Sequence, residues 1–285
     1  MLRSSLFFLF TAEAYERKGI ALLFSFFALA AFCTPLFAQP TTYYWDNGKI
    51  KSEGTLDKAG KMQGTWTFYY ESGVRKSMGT YKDGKTDSLW FFWDVNGKLH
   101  SRGFYKGDQL DSAWWFFEPD GRLWKTCHYK NNLLDGQYLE WWNDSALKEA
   151  GTFRKGLKQG LWTKWFPNCK QHTEEHYVDG LQQGACSIWY PNGVLQSEGR
   201  VKNGKSEGEW RFYDDSGKKL VVGNYKKGHW HGSWMDYQRN GKKNSSGTYS
   251  NNLKTGRWRY YNESGQLRKL EIYKDEKLVK EITYE

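Results

Sequence analysis

Proline, cysteine and recognisable catalytic motifs are all scarce in this sequence, and each shortage narrows what the chain can be. Only five prolines occur in 285 residues, beside 16 Trp, 19 Tyr and 17 Phe. Disordered chains are poor in aromatics, so disorder is excluded. Helix is disfavoured as well, because the 30 glycines recur every few residues and each costs about 1 kcal/mol relative to alanine inside a helix. Of the four cysteines, Cys127, Cys169 and Cys186 lie beyond residue 38. An odd number leaves at least one thiol unpaired, and the spacing is neither CxxC nor that of a zinc site. They are expected to be free, structural thiols. No GxSxG, P-loop or paired-carboxylate motif stands outside the repeat described below, and no unit is singled out for chemistry as catalysis normally requires. The chain is therefore expected to be no enzyme, with no catalytic residue, no cofactor and no metal.

One long apolar run is present, near the start. Arg17 and Lys18 precede "IALLFSFFALAAF" at 20–32, followed by Pro35 and a "LFA" ending at Ala38. This is the pattern of a secretory signal peptide (1–38), cut between Ala38 and Gln39. The rival reading is an uncleaved anchor, since residues 20–38 are almost long enough to span a bilayer. Either way residues 39–285 are expected to be exported to the periplasm, cell envelope or medium. Cys33 follows Phe32, where a lipoprotein signal wants a small residue, so lipid attachment is not expected.

The remainder is one repeat array. Counting from Trp66 in steps of 24 gives Trp66, Trp90, Trp114, Tyr138, Trp162, Cys186, Trp210, Trp234 and Trp258, with no insertion or deletion. With that anchor as position 0, position +3 is aromatic in every unit: Tyr69, Trp93, Phe117, Trp141, Trp165, Trp189, Tyr213, Tyr237 and Tyr261. Glycine recurs at +7 (failing only at Ser145 and Cys169), at +13 (Gly79, Gly103, Gly151, Gly199, Gly223, Gly247) and at −2 (among others Gly64 and Gly208). Tyr or Phe recurs at +15, from Tyr81 to Tyr273, except at Val201. The whole forms about nine full units, with atypical caps at 39–63 and 274–285.

Each unit reads as a β-hairpin. Triplets such as "ESG" (71–73), "PNG" (191–193) and "RNG" (239–241) are turn chemistry with glycine where φ goes positive, and "YKDGK" (81–85) turns the chain into the next hairpin. The fold class is all-β: an elongated, twisted antiparallel meander of hairpins, an open-ended single sheet of about 18 to 20 strands coiled on itself. Centring the first turn between +5 and +8 makes paired offsets sum to 13. That sets the anchor Trp opposite the +13 glycine and the +15 Tyr opposite the −2 glycine, so each large ring would cover a residue without a side chain. Trp66, Trp90, Trp114, Trp162, Trp210, Trp234 and Trp258 are the expected core, joined by Phe or Ile at +2 (Phe68, Phe92, Phe116, Ile188, Phe212). The +3 row faces the other way, because strand side chains alternate. At the N-terminal cap, "YYWDNGK" (43–49) supplies Trp45 to that row, and "LDKAGK" (56–61) is one residue longer than the later connections.

The half-unit "GNYKKGHWHGSW" (223–234) resembles the MORN repeat, and the full unit "GxWxxYYxxGxxxxxGxY" resembles the bacterial MORN-repeat variant of the YwqK-type family, often labelled antitoxin-like. The resemblance covers residues 43 to about 275. It implies an elongated hairpin array that acts by binding, with no catalytic residues to carry over. Aromatic–glycine hairpins also resemble choline-binding and other wall-binding repeats in general style, although those units are shorter.

Two histidine groups invite a metal reading. "HTEEH" (172–176) is not HExxH, and on a strand its two histidines stand about 13 Å apart at about 3.3 Å per residue. His229 and His231 flank a turn, bring no third ligand, and are expected to be solvated loop residues. The +3 row is the candidate ligand strip, a ladder on which apolar side chains or sugar rings could stack, or a row that merely packs against its own neighbours. Formal charge is +10, of which the leader holds one unit. Lys82, Lys106, Lys130, Arg154, Lys202, Lys226 and Lys274 at +16 form a basic line that protects an edge or attracts anionic envelope polymers or lipid headgroups. Export argues against nucleic acid. The expected function is a non-enzymatic binding or scaffold protein that engages a protein partner or envelope component. A carbohydrate- or wall-binding array and an antitoxin-like protein are the alternatives, and the oligomeric state is open.

Overall fold

The structure, a computed structural model, describes residues 39–142 and 146–285; the leader and Ser145 lie outside them. Among the described residues all the regular structure is β, in a single open antiparallel sheet of 21 strands. It begins β1 (Gln39–Tyr44), β2 (Ile50–Leu56), β3 (Met62–Tyr69), β4 (Arg75–Lys82), β5 (Lys85–Trp93), β6 (Leu99–Lys106), β7 (Gln109–Phe117) and ends β20 (Leu267–Lys274), β21 (Lys277–Thr283). Each strand pairs with its predecessor and successor in the chain. The two caps supply three strands, β1, β2 and β21, beside the two from each of the nine full units, which is why the count exceeds the 18 to 20 expected.

Two kinds of turn alternate along the meander. At one edge Tyr70 N–H bonds Val74 O (2.8 Å) and Gly73 N–H bonds Tyr70 O (2.8 Å), with Gly73 at φ +88°. This is a type I turn closed by a left-handed residue. Cys169 occupies the same place at φ +63° without being glycine. At the other edge the pair Lys82↔Lys85 encloses Asp83 (φ +53°) and Gly84 (φ +79°), a two-residue turn with both φ positive, the hand that matches strand twist. The longer connection at 56–61 is a turn of the first kind, with Asp57 N–H on Lys61 O and Gly60 N–H on Asp57 O. Its extra residue shifts the register, so Trp45, whose N–H bonds Lys49 O as Tyr70 bonds Val74, belongs to position +4 and not to the +3 row.

The expected pairing within hairpins is present: Trp66↔Gly79, Gly64↔Tyr81, Trp90↔Gly103, Trp210↔Gly223. The rings, however, do not lie on those partners. A Cβ placed on Gly79 would sit 2.1 Å from the ring of Trp90, not Trp66; likewise Gly103 meets Trp114, Gly151 meets Trp162, Gly199 meets Trp210 and Gly247 meets Trp258. Each indole therefore leans over the glycine of the preceding hairpin. The cause is a bulge: between the pairs Met78↔Phe91 and Thr80↔Asp87, one residue of β4 faces three of β5. Such a bulge re-aims side chains. The indole N–H then donates to the carbonyl beside that glycine, as Trp90 does to Thr80 O (3.2 Å) and Trp258 to Thr248 O (3.1 Å). Trp234 is turned the other way because Asp236, at +2, offers its carboxylate to the indole N–H (3.1 Å).

The same bulge corrects the reading of the −2 glycines. Nothing lies within 4 Å of a Cβ placed on Gly160, Gly208 or Gly256, so no tyrosine covers them. They are there for their backbone, at φ +67°, +73° and +63°; Ser88 (φ +61°) and Ser112 (φ +54°) hold the position in the units without glycine. The +15 ring instead packs edge-on to the next anchor: Tyr81 to Trp90 (5.2 Å), Tyr105 to Trp114 (5.3 Å), Tyr249 to Trp258 (4.8 Å). Phe68 and Phe92 stack between successive indoles at 6.2 and 5.9 Å. Trp66 is 0% exposed and all seven anchor tryptophans are 9% or less. The core is thus a run of aromatic stacks on one side of the sheet, interrupted where Cys186, Ile188 and Val201 pack against Trp210, with Ser52, Ser77, Ser101, Thr173, Ser197 and Ser245 buried among them.

Candidate binding face

Strand alternation puts the +3 residues on the side opposite the indole stack. All nine, from Tyr69 to Tyr261, are half-buried. Several of the rings are positioned by a +12 carboxylate of the preceding strand or by a cation at +9. Tyr69 donates its hydroxyl to Glu53 (2.6 Å) and Tyr213 to Glu198 (3.1 Å); burial first, then the carboxylate, raises both hydroxyls above the ordinary tyrosine value. The Arg75 guanidinium lies 5.2 Å from the Trp93 ring centre and the Lys219 ammonium 5.4 Å from that of Tyr237. The row thus packs partly against its own neighbours while one side of each ring stays at the surface.

Part of this row's backbone is pinned by a column that the sequence reading did not single out, position +4. Tyr70 donates to Trp93 O (2.8 Å), Trp142 to Trp165 O (2.9 Å), Tyr190 to Tyr213 O (3.0 Å) and Gln238 to Tyr261 O (3.3 Å). Each bond reaches from one hairpin to the next. The signal was in the sequence as the recurring double aromatics "YY", "WW", "WF" and "WY", of which only the first member had been given a role.

Among the described residues no group of three or more His, Cys, Asp or Glu is placed to hold a metal ion. His172 stacks on Phe166 (4.3 Å) and His176 Nδ1 lies 3.3 Å from Ala185 O, so the two serve different neighbours. His231 lies in a strand (His229–Tyr237), half-buried with Nδ1 unpaired, and is not the loop residue expected. Cys127 and Cys186 are buried and free, and Cys169 is exposed and free. Burial pushes the Cys186 thiol up to about 11. The +16 basic residues are exposed at the two-residue turns. There Lys82 faces Lys85 and Lys202 faces Lys205, but Arg154 faces Leu157.

The hairpin closed by the first kind of turn is also the unit of a known sequence family. The MORN repeat variant matches residues 40–58, 62–83, 182–203, 206–227 and 254–275. Five of the chain's hairpins are therefore MORN-variant repeats. Each matched stretch covers one such hairpin, β3–β4 for instance, and β5–β6, between matched stretches, closes with the same kind of turn, Asp94 N–H on Lys98 O and Gly97 N–H on Asp94 O. MORN repeats point to a repeat-built binding or scaffold protein. No curated protein matches the chain. Three solved structures show a weak likeness. That of TcdB2-TccC3-TEV is 10% identical with a TM-score of 0.21, covering 82% of this chain and 15% of its own. Those of TcdB2-TccC3-Cdc42 (10%) and TcdB2-TccC3 (11%) each have a TM-score of 0.20 and cover 83% of this chain and 18% of theirs. The chain spans less than a fifth of their length, and values this low say nothing of what it does.

Proposed function

We propose that this chain is an exported, non-enzymatic binding protein whose MORN-type sheet holds a protein partner along its +3 face. The observation that carries the reading is the division of labour between the two sides. The indoles are consumed in packing the sheet together, whereas nine half-buried aromatics share the other side on a backbone tied down by the +4 column. A row of rigid amphipathic rings is suited to contact, since a contiguous aromatic strip without a partner is unusual on a single chain. A wall-binding array or an antitoxin-like protein would use the same face with a different occupant.

The test replaces Trp141, Trp165 and Trp189 together by alanine and places photo-crosslinking residues at Tyr213 and Tyr261, with control sites at Phe68 and Phe92 on the indole side. The variant is expected to keep its β circular dichroism, and crosslinks to one protein are expected from the +3 sites alone and to vanish in the triple variant. Collapse of the fold in the triple variant, equal crosslinking from both sides, or retention of isolated cell-wall glycan in place of protein would each overturn the reading.

A further inference from the structure

The +3 face is not uniform. On the three strands β5, β6 and β7 its neighbours at +1 and +14 are aromatic too, so Phe91, Trp93, Phe104, Trp115 and Phe117 form one patch. Elsewhere position +1 holds Thr67, Leu139, Thr163, Ser187, Arg211, Met235 or Arg259, none of them aromatic. In the middle of the patch stands Arg102, paired across the sheet with Phe91 on one side and Trp115 on the other. Its guanidinium lies 4.9 Å from the Trp115 ring centre and 5.9 Å from that of Phe117.

Arg102 is out of keeping with its row. Elsewhere position +12 holds the carboxylates Glu53, Glu174 and Glu198 or the uncharged Met78, Thr126, Ala150, Val222, Ser246 and Leu270, and Glu53 and Glu198 each answer a tyrosine hydroxyl at +3; Arg102 is the cation of the row. Here both neighbouring +3 residues, Trp93 and Phe117, lack a hydroxyl or carboxylate to answer it. The Arg102 Nε is buried with no hydrogen-bond partner. The carboxylates of Asp87 and Asp111 on the flanking strands accept instead from Ser88 (3.0 Å) and Ser112 (2.9 Å). A buried guanidinium N–H without an acceptor costs free energy until an anion meets it, and Arg set among Trp and Phe is the composition of an interface anchor.

We infer that Arg102 and the surrounding rings form the anchor site of the face, taking an acidic peptide segment in which an Asp or Glu beside an apolar residue pairs with the guanidinium. The proposal rests on the +3 face being the binding side and adds the chemistry of what binds. The planar fork of arginine suits a carboxylate, and the flanking rings exclude water from the pair.

The test selects random peptides displayed on phage against the intact chain and measures the affinity of a synthesised binder. Enriched peptides are expected to carry Asp or Glu next to an apolar residue. Arg102→Gln is expected to weaken the binder about 10- to 100-fold, the range for a hydrogen bond to a charged group. Changing the peptide's own acid to its amide should weaken it similarly on the unaltered protein, and the two losses should not add. That second arm needs no protein variant, so a folding defect in Arg102→Gln cannot obscure the result. Arg102→Lys should recover part of the affinity. Enrichment of peptides without acids, failure to obtain any binder, or unchanged affinity in both arms would overturn the assignment. Peptides lost in the Trp141, Trp165 and Trp189 triple variant but indifferent to Arg102→Gln would sink the anchor site and leave the face standing.

Discussion

Two kinds of junction between successive hairpins coexist in the sheet. In the first, a tryptophan lies over the glycine of the hairpin before it: Trp90 on Gly79, Trp114 on Gly103, Trp162 on Gly151 and so on to Trp258 on Gly247. In the second, glycine at +13 is replaced by Cys127, Glu175 or Glu271, and the following anchor position holds Tyr138, Cys186 or, past the last unit, Ile282. Tryptophan is lost wherever glycine is lost. The two residues are one device split across a repeat boundary, because a Cβ at about 2 Å from an indole leaves no room for both. The second kind fills the hollow otherwise. Glu175 accepts from Tyr177 (3.0 Å) and Gln182 (3.4 Å) beside Cys186, and Glu271 from Tyr260, Tyr273 and Lys269. A packing junction gives way to a polar one.

The largest expected effect comes from forcing a side chain into the first kind. Gly79→Ala should cost about 3 kcal/mol, the upper end for overpacking, since the Trp90 ring must lift off the strand. Gly208→Ala, where φ is +73° and nothing lies within 4 Å, should cost only about 1 kcal/mol of backbone strain. Urea denaturation of both variants checks the contrast, and equal losses would erase the distinction between the two glycine rows.

Converting one kind of junction to the other sharpens the comparison. Cys186→Trp alone should destabilise the chain, because Glu175 occupies the hollow. Combined with Glu175→Gly it should be tolerated, with a coupling of about 2 kcal/mol between the sites. Additive losses in that double-mutant cycle would mean that Cys186 and Glu175 do not stand in for the tryptophan–glycine pair.

The smallest effect belongs to the polar end of the sheet. Burial opposes the charge of Glu271, yet hydrogen bonds from Lys269, Tyr260 and Tyr273 outweigh it and hold its carboxyl at about 2, below the ordinary 4.5. A carboxyl with a lowered folded value contributes stability above pH 4.5, which is lost as pH falls toward 2. Glu271→Gln should therefore lower the melting temperature at pH 7 and make a smaller difference at pH 2. An effect of the same size at both pH values would show that the charge is not what the cluster stabilises.

Much of this was legible beforehand. The step of 24, the alternation of faces and the glycine-bearing turns predict the hairpins and their register, and Trp66↔Gly79 is paired as the offsets require. The direction in which the indole leans was also written in the chain, in the exceptions. Pairing each anchor with its own hairpin sets Trp114 against Cys127 and Trp162 against Glu175, whereas pairing it with the hairpin before matches every case. A regular period hides this, because both neighbouring strands present glycine. The +3 strip was legible as a row, and the double aromatics marked several of its +4 supports, but the bonds those side chains make to the next hairpin's carbonyls are set by the register between hairpins.

The amino-acid sequence by itself determined the repeat, the two turn types and which residues share a face, because backbone preferences and alternation are local and recur with the period. Only the tertiary structure decided that each indole N–H reaches the carbonyl beside the preceding hairpin's glycine and that the Arg102 Nε stands without a partner among five aromatic rings. Those depend on bulges that tilt one strand against the next and on side chains drawn from three adjacent strands, and no single stretch of chain contains either.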